Sequence, residues 1–138
     1  MDSVLGALTT NPTVSSYAAQ LGTYTKVGNV VHVRGHLDIS AGNIGTDGAG
    51  DGIIAGLPFT SNSDGTQNPG GWMDNQKNIP NTFSTSRDNA CLYLGANTSS
   101  IYLHQFNSGN PIYQTGWGIT QIDNGNRFQW LFAGSYRV

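Results

Sequence analysis

The chain has 138 residues, a formal net charge of −2, and only 10% charged residues, against an average near 25%. All eight acids are Asp, and Gly, Asn, Thr and Ser together make 58 residues. Those residues are poor helix formers, so a helical bundle or coiled coil is excluded. The 37% hydrophobic residues and 14 aromatics are enough to bury a core, which argues against disorder.

In chain order, residues 1–21 read as an N-terminal arm that packs on the domain or on a neighbouring chain. Residues 22–138 read as one domain. Deleting the arm is expected to leave that domain folded. MDSVLGALTT has no Lys or Arg and does not read as a signal peptide. A strand over Thr23–Val27 and a second over Val30–Ile39 flank Gly28-Asn29, a hairpin signal. In the second strand Val31, Val33, Gly35, Leu37 and Ile39 share one face. Val30, His32, Arg34, His36 and Asp38 share the other.

A Gly-rich segment over 41–52 reads as a flexible turn. Its Asp47 and Asp51 lack the bidentate Glu that closes an EF-hand calcium loop. Ile53–Leu57 reads as a strand ended by Pro58. Residues 60–82 form a long polar stretch containing Trp72, with short strands near Gly71–Asp74 and Thr82–Ser84. A second hairpin pairs Ala90–Leu94 with Ser100–Phe106. Tyr113–Ile122 and Arg127–Tyr136 follow as strands around the turn Asp123-Asn124-Gly125-Asn126. About eight strands with regular turn signals predict an all-β fold, an antiparallel β-sandwich that is jelly-roll-like.

Few residues carry chemistry. His32 and His36 lie four apart on a strand, roughly 13 Å between Cα atoms at about 3.3 Å per residue, too far to chelate one metal within a chain. One histidine from each of three chains around an axis could still do so. The face Val30, His32, Arg34, His36 reads instead as a trimer or partner interface. His104 reads as packed against aromatics, and Cys91 as a small core residue. None of the GxSxG, HExxH or P-loop strings occurs, and no Asp is marked as a raised-pKa acid. The chain reads as no enzyme, with no cofactor and no metal. Six dispersed Lys and Arg argue against nucleic acid, and no apolar run is long enough for a membrane helix. Trp72, Asp74, Asn75 and Tyr113 are candidate glycan contacts, carried on loops 60–82 and 107–116.

Three strings point to one family. Tyr24-Thr25-Lys26-Val27-Gly28-Asn29-Val30-Val31 resembles the "YTKxGNxV" opening of small β-sandwich modules in tailed-phage virion proteins, found at the ends of tail fibres and tailspikes. Gly56-Leu57-Pro58-Phe59 resembles their "GLPF" strand end, and Gly134-Ser135-Tyr136-Arg137-Val138 their closing "GxYR" strand. The resemblance implies a homotrimer on the virion surface, without cofactor or catalytic residues. With about 21 residues before the sandwich and Met1 as the native start, the expected role is non-enzymatic. It is a capsid decoration or cement subunit contacting the major capsid protein, or a subunit capping an appendage. For an excised fragment the alternative is the receptor-binding tip of a tail fibre or tailspike, contacting host surface glycans.

Overall fold

A computed structural model of the chain describes residues 1–45, 47–63, 71–78, 90–107, 110–116 and 127–138. For 71–78, 90–91, 105–107 and 110–116 it describes the backbone alone. Among the described residues there are nine strands and no helix. They are β1 (Val4–Ala7), β2 (Ala19–Val27), β3 (Val30–Ile39), β4 (Gly52–Ala55) and β5 (Gly71–Asn78), then β6 (Ala90–Leu94), β7 (Ser100–Asn107), β8 (Asn110–Gly116) and β9 (Phe128–Arg137).

The strands form two antiparallel sheets, one in the order β1-β4-β7-β6 with β8 also on β7, the other in the order β9-β3-β2. β5 joins both. Gly71–Met73 pair with β6, and Asp74–Asn78 pair with β9. One hydrophobic core takes residues from both sheets, as a β-sandwich requires. Leu5, Ile54, Leu92, Leu94, Ile101 and Leu103 come from one sheet, and Val31, Val33, Leu37, Ile39, Phe128, Trp130, Phe132 and Tyr136 from the other.

Alternation builds the second sheet. Val31, Val33, Leu37 and Ile39 are buried to 1% exposure or less, and they meet Tyr136, Gly134, Trp130 and Phe128 in register. The β2–β3 hairpin turns on Gly28, whose φ of 58° has open space around it. Backbone conformation, not crowding, therefore demands glycine there. A positive φ at the first central residue is the pattern of a type II′ turn.

The segment expected as an arm contributes to the sheet. Val4–Ala7 pair with Gly52–Ala55, and Leu5 and Ala7 enter the core. Residues 8–15 then run beside 43–45 and 47–51. Leu8 N donates to Asp51 O at 3.0 Å, Thr10 N to Ala49 O at 3.0 Å, and Gly45 N to Thr13 O at 2.7 Å. The 41–52 segment is thus laced to the leader instead of standing as a free turn. The N-terminus also reaches the other sheet, where Met1 N donates to Gly22 O at 3.2 Å.

Other boundaries move. The strand expected over Ile53–Leu57 is Gly52–Ala55, and that expected from Thr23 begins at Ala19. The short strand expected near Gly71–Asp74 extends over Gly71–Asn78, and the strand expected from Tyr113 begins at Asn110 and runs to Gly116 among the described residues. The readings for Thr82–Ser84, the remainder of Tyr113–Ile122, and the turn at 123–126 lie outside the described residues.

Candidate functional site

The outward face of the β2–β3–β9 sheet gathers the first set of sequence-derived candidates. Val30, His32, Arg34 and His36 stand opposite the core row of β3. Their register neighbours are Val27, Thr25, Thr23 and Leu21 on β2, and Arg137, Ser135, Ala133 and Leu131 on β9. Leu21 is 64% exposed, Val27 65% and Leu131 40%. Leu21 and Leu131 flank His36 in one cross-strand row. These three exposed apolar residues share one face of the sheet.

Polar contacts hold this face in shape. His32 Nδ1 lies 2.7 Å from Ser135 Oγ. His36 Nε2 lies 3.0 Å from Gln129 Nε2 and 4.0 Å from Asp38 Oδ2. Asp38 is 2% exposed. Arg127 Nε donates to its Oδ1 at 2.8 Å, and Arg127 Nη2 donates to Oδ2. Gln129 Nε2 donates to the same Oδ2 at 3.4 Å. The Arg127 hydrogen bonds hold the Asp38 carboxyl below its ordinary range, and burial opposes them. The forked guanidinium satisfies both carboxylate oxygens, so this buried charge is compensated. Asp47 is likewise engaged: Thr13 N donates to its Oδ1 at 2.8 Å and Thr13 Oγ1 to its Oδ2. Among the described residues, no group of three His, Cys, Asp or Glu side chains could hold a metal ion.

The four glycan candidates do not come together. Trp72 pairs with Tyr93 in one sheet, whereas Asp74 and Asn75 pair with Ala133 and Phe132 in the other. Tyr113 is in β8, which pairs with β7. Sequence reasoning missed a different set. Trp72, Tyr93, Tyr102 and Ile53 form one register row across β5, β6, β7 and β4. Tyr93 and Tyr102 alternate with the buried Leu92, Leu94, Ile101 and Leu103. The His104 ring centroid lies 5.4 Å from that of Tyr93 and 6.2 Å from that of Tyr102. His104 is therefore placed among aromatics, as expected from the sequence, with Tyr102 and Tyr93 as its neighbours. Burial pulls the His104 pKa down, partly countered by Asp51. The period-2 pattern of Leu92-Tyr93-Leu94 and Ile101-Tyr102-Leu103-His104 was the available signal. The backbone of Cys91 is opposite His104, and the reading of its side chain lies outside the described residues.

The three quoted strings converge at Phe59. The Tyr24 ring meets the Phe59 ring edge-on at 5.7 Å, and Lys26 Nζ lies 4.7 Å from the Phe59 centroid, within cation–π range. Tyr136 Oη donates to Phe59 O at 3.0 Å, and Val138 N donates to Asn29 O at 2.9 Å. Gly56 has φ 100°, and a Cβ there would stand 2.3 Å from Asp2 O. Conformation and close approach both require glycine at that strand end. No family model, curated protein or solved structure matches the chain.

Proposed function

We propose that this chain is a non-enzymatic structural subunit of a phage virion surface, assembled as a homotrimer that decorates the capsid or caps an appendage. The carrying observation is the outward β2–β3–β9 face, with Leu21, Val27 and Leu131 exposed around His32, Arg34 and His36. Interfaces combine apolar anchors with depletion of Lys, Glu and Asp, and this chain has no Glu. The phage assignment rests on the resemblance of three short strings, and their meeting at Phe59 gives each a structural reason to occur with the others. The role needs no cofactor, and its partners are further copies of the chain and other virion proteins. A reconstruction of the particle whose genome encodes this chain tests the proposal. Sandwich-sized density on its surface is the expected result. Absence of the chain from purified particles by mass spectrometry contradicts it.

One observation favours a second reading, a receptor-binding tip that contacts host glycans. The neighbouring Tyr93 and Tyr102 offer flat rings with polar edges on adjacent strands, which suits alternating CH faces and hydroxyls. Glycan-array binding that is lost in Tyr93→Ala and Tyr102→Ala supports this reading. Absence of binding to every arrayed polysaccharide removes it.

A further inference from the structure

We infer that the open edge of β2 is a strand-pairing site, taking β2 of a second copy antiparallel about a two-fold axis at Thr23. This pairing uses the backbone edge of the sheet, a surface distinct from the outward face, and does not depend on the trimer.

The strand path ends at β1 and at β2, and the two ends differ. Leu8 N donates to Asp51 O on the β4 side, so Val4 and Gly6 also face β4, while Leu5 and Ala7 direct their N–H groups to the open side. Both groups are taken within the chain. Ala7 N donates to Asn11 Oδ1 at 2.9 Å, and the Leu5 backbone is hydrogen-bonded to the Tyr17 hydroxyl. Four residues long and capped by side chains, β1 offers no donor to a neighbouring strand.

β2 is nine residues long and lacks such caps. Gly22 O accepts from Met1 N at 3.2 Å, so Gly22 points away from β3. Alternate residues follow it, and Gln20, Gly22, Tyr24 and Lys26 all direct N–H and C=O outward. Gly22 O keeps a second lone pair. Among the described residues, no other hydrogen bond reaches these outward groups. Natural edges are blunted by charge, proline or bulges. β2 has no proline, and its register with β3 is unbroken. Its one charge, Lys26, is drawn onto the Phe59 ring at 4.7 Å. Leu21, Tyr24 and Val27 are exposed. An edge of this kind is a template for an added strand.

With β1 capped, pairing between the path ends of two copies is β2 on β2, an isologous contact. Centring it at Thr23 uses all four outward residues, setting Gly22 against Tyr24 and Gln20 against Lys26 of the second copy. Centring at Gly22 or Tyr24 uses three. The Thr23 register also keeps the two lysines apart, so no like charges stand opposite. An edge contact of this length belongs to the weak class, under about 1,200 Å², and is expected at high concentration or where copies are held close.

Cysteine cross-linking of the full chain at about 100 µM tests the pairing, with wild type giving the background from Cys91. Two Thr23 residues on the axis form a non-hydrogen-bonded pair with Cα atoms about 4.5 Å apart, within disulfide reach. Two Thr25 residues stand roughly 13 Å apart along the strands, beyond it. Thr23→Cys is expected to give a reducible dimer under mild oxidation, and Thr25→Cys only the background. Lys26→Pro removes an outward N–H without touching the β3 ladder. Added to Thr23→Cys, it is expected to abolish the dimer, whereas Lys26→Ala keeps it, with circular dichroism checking each fold. If Lys26→Pro does not fold, the comparison of Thr23→Cys with Thr25→Cys decides. Thr23→Cys at background, or an equal dimer in Thr25→Cys, overturns the inference. A Thr23→Cys dimer that survives Lys26→Pro, or is lost on adding Leu131→Asp, places the contact on the outward face; it overturns this inference and leaves the assembly reading standing.

Discussion

Gly35 of β3 lies opposite Phe132 of β9, and the Phe132 ring fills the space that a side chain on Gly35 would need. A Cβ at Gly35 would stand 2.1 Å from a ring carbon. This contact explains why glycine interrupts the row Val31, Val33, Leu37, Ile39. Gly35→Ala is expected to destabilise the fold by about 1–3 kcal/mol through overpacking, and Phe132→Leu in the same chain to recover part of that loss. Urea unfolding measures both. Wild-type stability in Gly35→Ala would show that the ring is free to move aside.

Leu5 tests whether the N-terminal segment belongs to the core. Its side chain is 4% exposed and its strand lines β4. Leu5→Ala is expected to cost about 2–5 kcal/mol, read as a lowered thermal midpoint. Removal of residues 1–7 is expected to cost more, because β4 also loses its ladder. A truncated chain with an unchanged midpoint would place the segment outside the folding unit.

Asp38 gives the fold an acid limit. Its folded pKa is held below its unfolded value by Arg127, and that unfolded value is near 3.9. The stabilisation is fully present above the unfolded pKa and is lost as pH falls through the folded one. Unfolding free energy should therefore decline from about pH 5 downward. The Asp38→Asn variant should show a shallower decline and lose about 1–3 kcal/mol at neutral pH with its charged hydrogen bonds. Asp47 is shifted the same way by Thr13, so Asp38→Asn keeps a residual slope that Asp47→Asn removes. An acid limb identical in wild type and Asp38→Asn contradicts this assignment.

Tyr136 links the last strand to the end of the β4 segment. Tyr136→Phe removes the hydrogen bond to Phe59 O and is expected to cost about 0.5–1.5 kcal/mol, measured by denaturant midpoint. Lys26→Ala should lose less, since an exposed cation–π contact contributes about 0.5–1 kcal/mol. A larger loss in Lys26→Ala than in Tyr136→Phe would mean that the cation–π contact, not the hydrogen bond, holds this junction.

What was legible in the sequence was local. The alternation in Val30–Ile39 marked a strand and its two faces, because period 2 survives wherever one face is buried. β1 was not legible, because Val4-Leu5-Gly6-Ala7 is too short to show a period and gains its place by pairing with β4. β5 was legible only at its start, where a short strand is expected near Gly71–Asp74. Its polar sequence changes partner sheet between Met73 and Asp74, and no alternation records that switch. The outward face of β3 was readable as a set, but its exposed neighbours Leu21 and Leu131 come from other strands. The Asp38–Arg127 pair spans 89 positions, a separation that no sequence window covers.

Light scattering of the full chain, beside Leu21→Asp, tests the central proposal most directly. The expected mass is about three chain masses for the wild type, falling toward one chain mass in the variant, whose added carboxylate would be desolvated in the contact. A wild-type mass of one chain, or a trimer untouched by Leu21→Asp, contradicts assembly through the β2–β3–β9 face.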